Sequence, residues 1–224
     1  MTTSKANSNQ NKTMPTIFDI ETGPLPLAEL EAIIPAFDPA EVKTGNIKDP
    51  AKIAEKLAES ERRHKLDFIE RAALDPLTGR VLAIGTLSYD KYIPIYDDDE
   101  AKMLGDFWMA WEESIQMIGF NIFAFDLPFL IRRSWKHRVT VPPEVRRGRY
   151  WADRFVDLRD VWQMGNRQDH GSLDSISKHM GTGAKTGDGK DFATLFNTDR
   201  NAALAYLKND LELTHRMAER MGVI

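Results

Sequence analysis

The positions of apolar and polar residues along the chain predict an α/β domain. Short apolar runs that end at turn residues predict five strands, and the third is expected to pair with the second as a hairpin. These strands lie at residues 16–23, 80–88, 92–96, 117–120 and 155–158. Apolar residues at helical spacing predict helices: residues about 50–73, from Leu104 to Ile118, 127–135, 172–179 and about 198–221. This order predicts a central mixed sheet flanked by helices.

A long polar segment interrupts this alternation after the first strand. Asp49 and Pro50 predict the start of a charged helix inside it, with Asp49 as the N-cap. We therefore expect a single domain over residues 15–224, with an insertion at about 25–78. Residues 1–14 are polar, do not resemble a secretory signal, and predict a disordered tail.

Composition excludes several classes of protein. The chain has 224 residues, 42% hydrophobic content and no cysteine, so it has no disulfide, thiolate nucleophile or zinc–thiolate site. Its apolar runs fall short of the roughly 18 residues that a membrane span needs. We therefore expect a cytoplasmic protein with no membrane partner. The net charge of −4 does not indicate nucleic-acid binding, although a net charge hides local patches.

Two acids on the first strand are the strongest chemical signal. Asp19 and Glu21 are two residues apart and alternate with Phe18 and Ile20, so on a strand they project to one face. Burying two carboxylates is costly without a cation, and carboxylate oxygens suit Mg²⁺ or Mn²⁺. The alternative is a strand edge whose acids point to solvent.

Two later segments carry similar chemistry. Asp126 lies in apolar surroundings at a strand-to-helix junction, where it is either a functional carboxylate or a plain N-cap. Tyr206 and Asp210 are four residues apart and share one face of the last helix. The alternative for Asp210 is an exposed acid on an amphipathic helix.

Four acids in a row, Asp97 to Glu100, also look like a metal-binding cluster. They stand immediately before an amphipathic helix, where acids cap the helix and interact favourably with its dipole. We therefore interpret them as capping residues.

Together the acids resemble a known set. D-x-E at Asp19, N-x₄-D at Asn121 and Y-x₃-D at Tyr206 are similar to the Exo I, Exo II and Exo III motifs of the DEDD superfamily of 3′→5′ exonucleases. The tyrosine form of Exo III marks the DEDDy branch, which includes the proofreading domains of family B DNA polymerases. The histidine form is excluded, because Ala205 stands five residues before the last acid.

This resemblance implies a ribonuclease H-like fold and two-metal hydrolysis of phosphodiester bonds. Two Mg²⁺ or Mn²⁺ ions about 3.5–4 Å apart would be held by four carboxylates: Asp19, Glu21, Asp126 and Asp210. Tyr206 would orient the attacking water, and the product would be a nucleoside 5′-monophosphate. The terminal nucleotide would meet three further groups: the Thr22 backbone, Asn121 and Phe125.

A basic segment follows Asp126 and predicts where the nucleic acid lies. Between residues 132 and 154 there are two acids, Glu144 and Asp153, and eight cations: Arg132, Arg133, Lys136, Arg138, Arg146, Arg147, Arg149 and Arg154. Four ring side chains are interleaved with them: Trp135, His137, Tyr150 and Trp151. Phosphates attract such cations, and single-stranded bases stack on exposed aromatic rings. The alternative is a solvated loop with two core tryptophans.

The glycine-rich stretch 181–189 resembles a phosphate-binding loop only superficially. Ala184 precedes Lys185 where a nucleotide-binding loop needs Gly, and no buried strand leads into it. We expect a mobile loop near the active site, with Lys185 or Lys190 contacting a phosphate.

The sequence therefore predicts a metal-dependent 3′→5′ exonuclease that acts on single-stranded 3′ ends, with DNA favoured over RNA. The alternatives are an endonuclease on the same fold and a non-catalytic nucleic-acid-binding module. Replication or repair proteins are the expected class of protein partner.

Overall fold

The computed structural model describes residues 14–88, 91–145, 151–166, 168 and 171–224. Two predictions fall partly outside these ranges. The predicted tail is described only at Met14, whose carbonyl accepts a hydrogen bond from the Ile115 amide. Four residues of the basic segment also lie outside the described residues: Arg146, Arg147, Arg149 and Tyr150.

The described residues form strands and helices close to the predicted positions. The strands are β1 (Pro15–Pro24), β2 (Gly79–Ser88), β3 (Lys91–Ile95), β4 (Gln116–Gly119) and β5 (Phe155–Asp157). The helices are α1 (Leu27–Glu31), α2 (Pro50–Arg71), α3 (Glu100–Glu113), α4 (Asp126–Lys136), α5 (Leu158–Gln163), α6 (Leu173–Met180), α7 (Phe192–Thr198) and α8 (Arg200–Arg220).

The five strands form one mixed sheet in the order β3-β2-β1-β4-β5. Strand β4 runs parallel to β1, with Ile17 opposite Ile118, and β5 runs parallel to β4. Strands β2 and β3 are antiparallel and form the expected hairpin. The predicted α/β class, with a central mixed sheet, is confirmed.

Alternate residues of β1 face two different cores. Phe18 and Ile20 pack into the apolar cluster that includes residues of α3 and α4. Ile17 packs into the cluster on the opposite face, with Leu211 of α8. Because side chains alternate along a strand, Asp19 and Glu21 point to the same face as Ile17, the face that α8 covers.

Helix α8 lies very close to strand β2. A Cβ atom at Gly85 would lie 2.6 Å from Cδ1 of Leu211 and 2.9 Å from Cγ of Leu207, so any larger residue would force atoms to move. Glycine at this position therefore allows the helix to approach the sheet closely.

The acids at the start of α3 have two different roles. Asp99 caps α3 as predicted and accepts a hydrogen bond from the Ala101 amide at 2.9 Å. Glu100, however, is buried, and its carboxylate accepts hydrogen bonds from Arg133 at 2.9 and 2.6 Å. It also accepts one from the Val81 amide. Glu100 is therefore part of the core and not merely a capping residue.

The last helix, predicted at about residues 198–221, is α8 (Arg200–Arg220), which Asp199 caps by accepting a hydrogen bond from the Ala202 amide at 3.0 Å. Helix α7, which precedes it, was not predicted. The helix expected to run to Ile118 ends at Glu113, and Ile118 belongs to β4. Within the described part of the chain, the helices are too short or too polar to cross a membrane.

Residues 22–80 form a compact unit of their own. Its small core contains Leu25, Leu30 and Ala72. Asp49 caps α2, as predicted, by accepting a hydrogen bond from the Ala51 amide at 2.9 Å. The organisation into a single domain with an insertion at about 25–78 stays a prediction.

Candidate active site

Three carboxylates from two distant parts of the chain meet at the face of β1 that α8 covers. Each of Asp19, Glu21 and Asp210 offers an oxygen, and these oxygens all lie within 4.8 Å of one another. Glu21 and Asp210 are buried, and Asp19 is partly exposed. The strand alternation and the helical position of Asp210 together produce this cluster.

Asp126 is attached to the same strand from α4. Its Oδ1 accepts a hydrogen bond from the backbone amide of Ile20, the residue between Asp19 and Glu21, at 3.1 Å. Asp126 is 3% exposed and is the first residue of α4, whose N-cap is Phe125. The plain N-cap interpretation of Asp126 is therefore wrong.

The electrostatics of the cluster are unfavourable for four negative charges. Burial, and secondly the charge of Asp210, raise the pKa of Asp19 to about 7. Burial also raises the pKa of Glu21 and of Asp126 well above the usual range, and the Asp19 carboxylate adds to both shifts. The carboxylates thus retain protons more strongly than acids in water, because burial removes the water that would stabilise their charge and neighbouring carboxylates repel it.

One ammonium group lies within the cluster. Lys185, from the segment between α6 and α7, places its Nζ 2.6 Å from Oδ2 of Asp210. The same Nζ lies 5.1 Å from the centre of the Tyr206 ring. Burial raises the pKa of Asp210, and Lys185 opposes that rise. The glycine-rich loop does lie near the acids, as expected, but Lys185 contacts a carboxylate; its contact with a phosphate stays a prediction.

Tyr206 lies one turn before Asp210 on α8, and its side chain is buried. Its ring packs on Phe192, with the ring centres 6.1 Å apart. Its buried hydroxyl makes no hydrogen bond of good geometry, although Lys185 is close enough to oppose the rise of its pKa. Burial nevertheless raises the pKa of Tyr206, so the hydroxyl keeps its proton at neutral pH.

The residues predicted to meet the nucleotide have other contacts in the structure. Asn121 accepts a hydrogen bond from Arg159 at 2.7 Å, and its backbone has a φ of 65°. Phe125 is partly buried against the core and lies 5.6 Å from Phe129, ring to ring. The Thr22 hydroxyl donates to the Ala73 carbonyl at 2.7 Å. The predicted nucleotide contacts stay predictions.

Asp157 is a buried acid that the sequence analysis did not single out. Its carboxylate accepts hydrogen bonds from the amides of Asn121 at 2.7 Å, Phe123 at 2.9 Å and Arg159 at 2.9 Å. It thereby shapes the loop that leads directly to Asp126. An acid between a strand and a helix, amid apolar residues, was the available signal.

Two arginines of the basic segment have partners inside the protein. Arg133 is 1% exposed and pairs with Glu100. Arg154 lies over the Trp111 ring, 4.2 Å from its centre, and donates to the carbonyls of Trp111 and Ser114. Including these two arginines in a surface charge was therefore wrong, because internal partners already neutralise or bind them.

An exposed remainder of the segment lies on one face of α4 and just beyond it. We call it the basic face: Arg132, Trp135, Lys136 and Arg138. Trp135 is 56% exposed. Trp151, by contrast, is partly buried and stacks on Phe123, with the rings 5.8 Å apart.

The donor set suits hard divalent cations. All the close oxygens belong to carboxylates, which Mg²⁺ and Mn²⁺ prefer. Oδ1 of Asp210 is buried without a hydrogen-bond partner, and a cation would satisfy it. The residues therefore fit a divalent metal site.

Comparisons with known proteins indicate the family to which the chain belongs. Residues 80–221 match a family described as a predicted 3′-5′ exonuclease related to the exonuclease domain of PolB. The matched range includes Asp126, Lys185, Tyr206 and Asp210, and it begins after Asp19 and Glu21. An uncharacterized protein of Methanocaldococcus jannaschii is 39% identical over 95 residues, which are 42% of this chain and 51% of that protein. The chain thus matches about half the length of that relative.

The fold is similar to a solved structure. The family B DNA polymerase of the hyperthermophilic archaeon Pyrobaculum calidifontis matches 93% of this chain and 24% of its own, with a TM-score of 0.59 and 16% identity. This likeness concerns the fold alone, and it confirms the expected ribonuclease H-like architecture. With most of its length matched to the family, the chain belongs to the predicted 3′-5′ exonucleases related to the exonuclease domain of PolB.

Proposed function

We propose that this protein is a metal-dependent 3′→5′ exonuclease of the DEDDy type. It removes nucleotides from the 3′ end of single-stranded nucleic acid and releases nucleoside 5′-monophosphates. The relation to a polymerase exonuclease domain supports DNA as the favoured substrate. A two-metal mechanism is part of this proposal.

The observation that carries the proposal is the meeting of Asp19, Glu21 and Asp210 within 4.8 Å. Asp126 accepts a hydrogen bond from the amide of Ile20, the residue between Asp19 and Glu21. Burial raises the pKa of all four acids, and the charge of a neighbouring carboxylate raises it further for Asp19, Glu21 and Asp126. Divalent cations would offset both the burial of negative charge and this repulsion.

These four carboxylates would hold two Mg²⁺ or Mn²⁺ ions. When bound, such ions supply positive charge that acidifies a water molecule and stabilises the departing 3′ oxygen. The protein's contribution is to keep the four acids fixed before substrate arrives. Strand β1 and helices α4 and α8 do this through the Ile20–Asp126 hydrogen bond and the close packing of α8 on β2.

Tyr206 would position the attacking water. Burial raises the pKa of its hydroxyl, so this group keeps its proton and is a poor general base. It is free of a good hydrogen bond within the protein, so it can make one to a water molecule at the acids. The water oxygen then loses a proton to solvent and bonds to the terminal phosphorus, while the bond to the preceding 3′ oxygen breaks and that oxygen takes up a proton from solvent.

A reaction assay tests the proposal. Single-stranded DNA and RNA labelled at the 5′ end are incubated with Mg²⁺ or Mn²⁺ and the wild-type protein. We expect a ladder of products that shorten one nucleotide at a time from the 3′ end. Asp19→Ala should abolish the ladder, whereas Asp67→Ala, which changes an exposed acid on α2, should leave it unchanged.

Circular single-stranded DNA distinguishes the main rival. An exonuclease leaves circles intact, so cleavage of circles would instead support an endonuclease on the same fold. Binding of the labelled strands without any cleavage, with both metals present, would contradict the enzyme proposal and support a nucleic-acid-binding module.

A further inference from the structure

The ammonium of Lys185 is built into the acid cluster. Its Nζ lies 2.6 Å from Oδ2 of Asp210, and the two side chains are 25% and 2% exposed. An ion pair this close and this protected from water is weakly screened by solvent and salt. It therefore acts strongly on any other cation that approaches Asp210.

The backbone around Lys185 is hydrogen-bonded to two helices. The amide of Lys185 itself donates to Oδ1 of Asp174 on α6 at 3.0 Å. Three residues earlier, the Thr182 carbonyl accepts a hydrogen bond from Arg216 of α8 at 2.7 Å. These hydrogen bonds fix the position of the Lys185 backbone, from which its side chain extends.

Two glycines bring the same loop against α8. Gly183 has a φ of 137°, and a Cβ there would lie 2.8 Å from Leu213. A Cβ at Gly187 would lie 3.2 Å from the ring of Tyr206. The loop is thus shaped to lie flat on the helix that carries Tyr206 and Asp210, and this placement directs Lys185 into the cluster.

We infer that Lys185 is an internal competitor of the divalent cations, which holds the affinity of the acid cluster for metal below the value that the carboxylates alone would give. This inference rests on the proposed metal-dependent function. A cation at Asp210 has to share that carboxylate with the ammonium or displace it, and either step costs free energy. The benefit to the protein is a cluster that stays folded when metal is scarce.

Calorimetric titration with Mn²⁺ alone, at pH 8 and without nucleic acid, tests the inference. Lys185→Met removes the charge and keeps most of the side-chain length. It should bind Mn²⁺ more tightly than the wild-type protein by on the order of tenfold. Lys185→Gln gives the same comparison with a polar side chain, should the methionine variant fail to fold.

Two controls separate charge from loop structure. Lys185→Arg keeps the positive charge, so its Mn²⁺ affinity should stay near that of the wild type. Lys91→Met changes an exposed lysine on β3 and should leave the Mn²⁺ affinity unchanged. Without metal, Lys185→Met should melt at a lower temperature than the wild type, and Mn²⁺ should raise its melting temperature by more.

The possible failures are distinguishable. If the wild type binds Mn²⁺ and the uncharged variants Lys185→Met and Lys185→Gln bind it equally or more weakly, the inference is overturned while the proposed function stands. If neither the wild type nor any variant binds Mn²⁺ at millimolar concentration, the metal-dependent function is overturned together with the inference.

Discussion

The backbone amide of Ile20 donates a hydrogen bond to the carboxylate of Asp126 at 3.1 Å. This bond ties the start of α4 to β1 at the one residue that separates Asp19 from Glu21. It leaves the second oxygen of Asp126 for other partners. The bond therefore couples Asp126 to the strand that carries Asp19 and Glu21 through a hydrogen bond rather than through side-chain packing.

Asp126→Asn tests what the charge of this residue does. The amide oxygen of asparagine can still accept from Ile20, so the fold should be retained. Loss of one negative charge relieves repulsion, and the melting temperature without metal should be equal or higher. The rate of strand degradation should fall by roughly 10²-fold or more.

Single-turnover rates and thermal melts measure the two effects. Asp98→Asn, on the exposed stretch before α3, is the matched control and should change neither. A rate within a few-fold of wild type would show that the charge of Asp126 is not needed.

Asp19 gives the metal-free protein a distinctive pH dependence. Its pKa is raised from 3.8 to about 7 on folding, so the folded protein keeps a proton that the unfolded chain has released. Stability that depends on this proton is complete below pH 3.8 and is lost as the pH rises to about 7. The shifts of Glu21, Asp126 and Asp210 have the same sign.

We therefore expect the melting temperature, measured with a chelator present, to fall by roughly several degrees between pH 5 and pH 8. Asp19→Asn should reduce this slope, and saturating Mg²⁺ should raise melting most at the higher pH. A melting temperature that increases over this range without metal would contradict the raised pKa values.

Tyr206→Phe removes a hydroxyl and keeps the ring that packs on Phe192. If the hydroxyl positions the water, the turnover rate should fall by roughly 10- to 10²-fold, with little change in KM. Metal affinity should remain near that of the wild type, since the four acids are untouched. An unchanged turnover rate would remove Tyr206 from the reaction.

The basic face of α4 should bind the part of the strand that precedes its 3′ end. Trp135→Ala and Lys136→Glu should raise KM for long single strands and leave the degradation of trinucleotides nearly unchanged. The salt dependence of binding should decrease by about one unit of slope for each cation lost. Lys208→Glu, on the exposed side of α8, is the control for charge alone.

Equal effects on long and short strands would contradict this assignment. They would indicate that the substitutions disturb α4, and with it Asp126, rather than a strand-binding surface.

The buried ion pair of Glu100 and Arg133 should stabilise the fold. Arg133→Met leaves the buried Glu100 carboxylate without its main partner and should cost about 3–5 kcal/mol of unfolding free energy. The double variant Glu100→Gln with Arg133→Met should recover part of this loss. Urea denaturation measures both, and a single variant as stable as the wild type would show that the pair contributes little.

Much of the fold followed from local patterns. The apolar alternation around Asp19 predicted β1, and the helical spacing of Tyr206 and Asp210 predicted their common face on α8. Asp49 and Asp99 were correctly predicted as helix caps, since a cap depends only on its nearest neighbours.

Contacts between distant residues were harder to predict. Glu100 and Arg133 looked like surface charges, because nothing local indicates that α3 and α4 bring them together in the core. Asp157 was missed for the same reason. Two of its donors, the amides of Asn121 and Phe123, belong to a distant loop, and the third, the Arg159 amide, belongs to the helix that Asp157 caps. The partner of Lys185 depends on how the loop lies on α8, which spacing in the sequence does not reveal.

Gly85 has a consequence for the geometry of the acid cluster. It lets α8 rest on β2 at a separation that even a methyl group would increase, because that group would lie 2.6 Å from Leu211. Asp210 is the neighbour of Leu211 in the chain, so an outward step of the helix carries its carboxylate away from Asp19 and Glu21. The missing side chain at position 85 thus sets the width of the acid cluster, and in the proposed metal site it would set the spacing of the carboxylates around an ion.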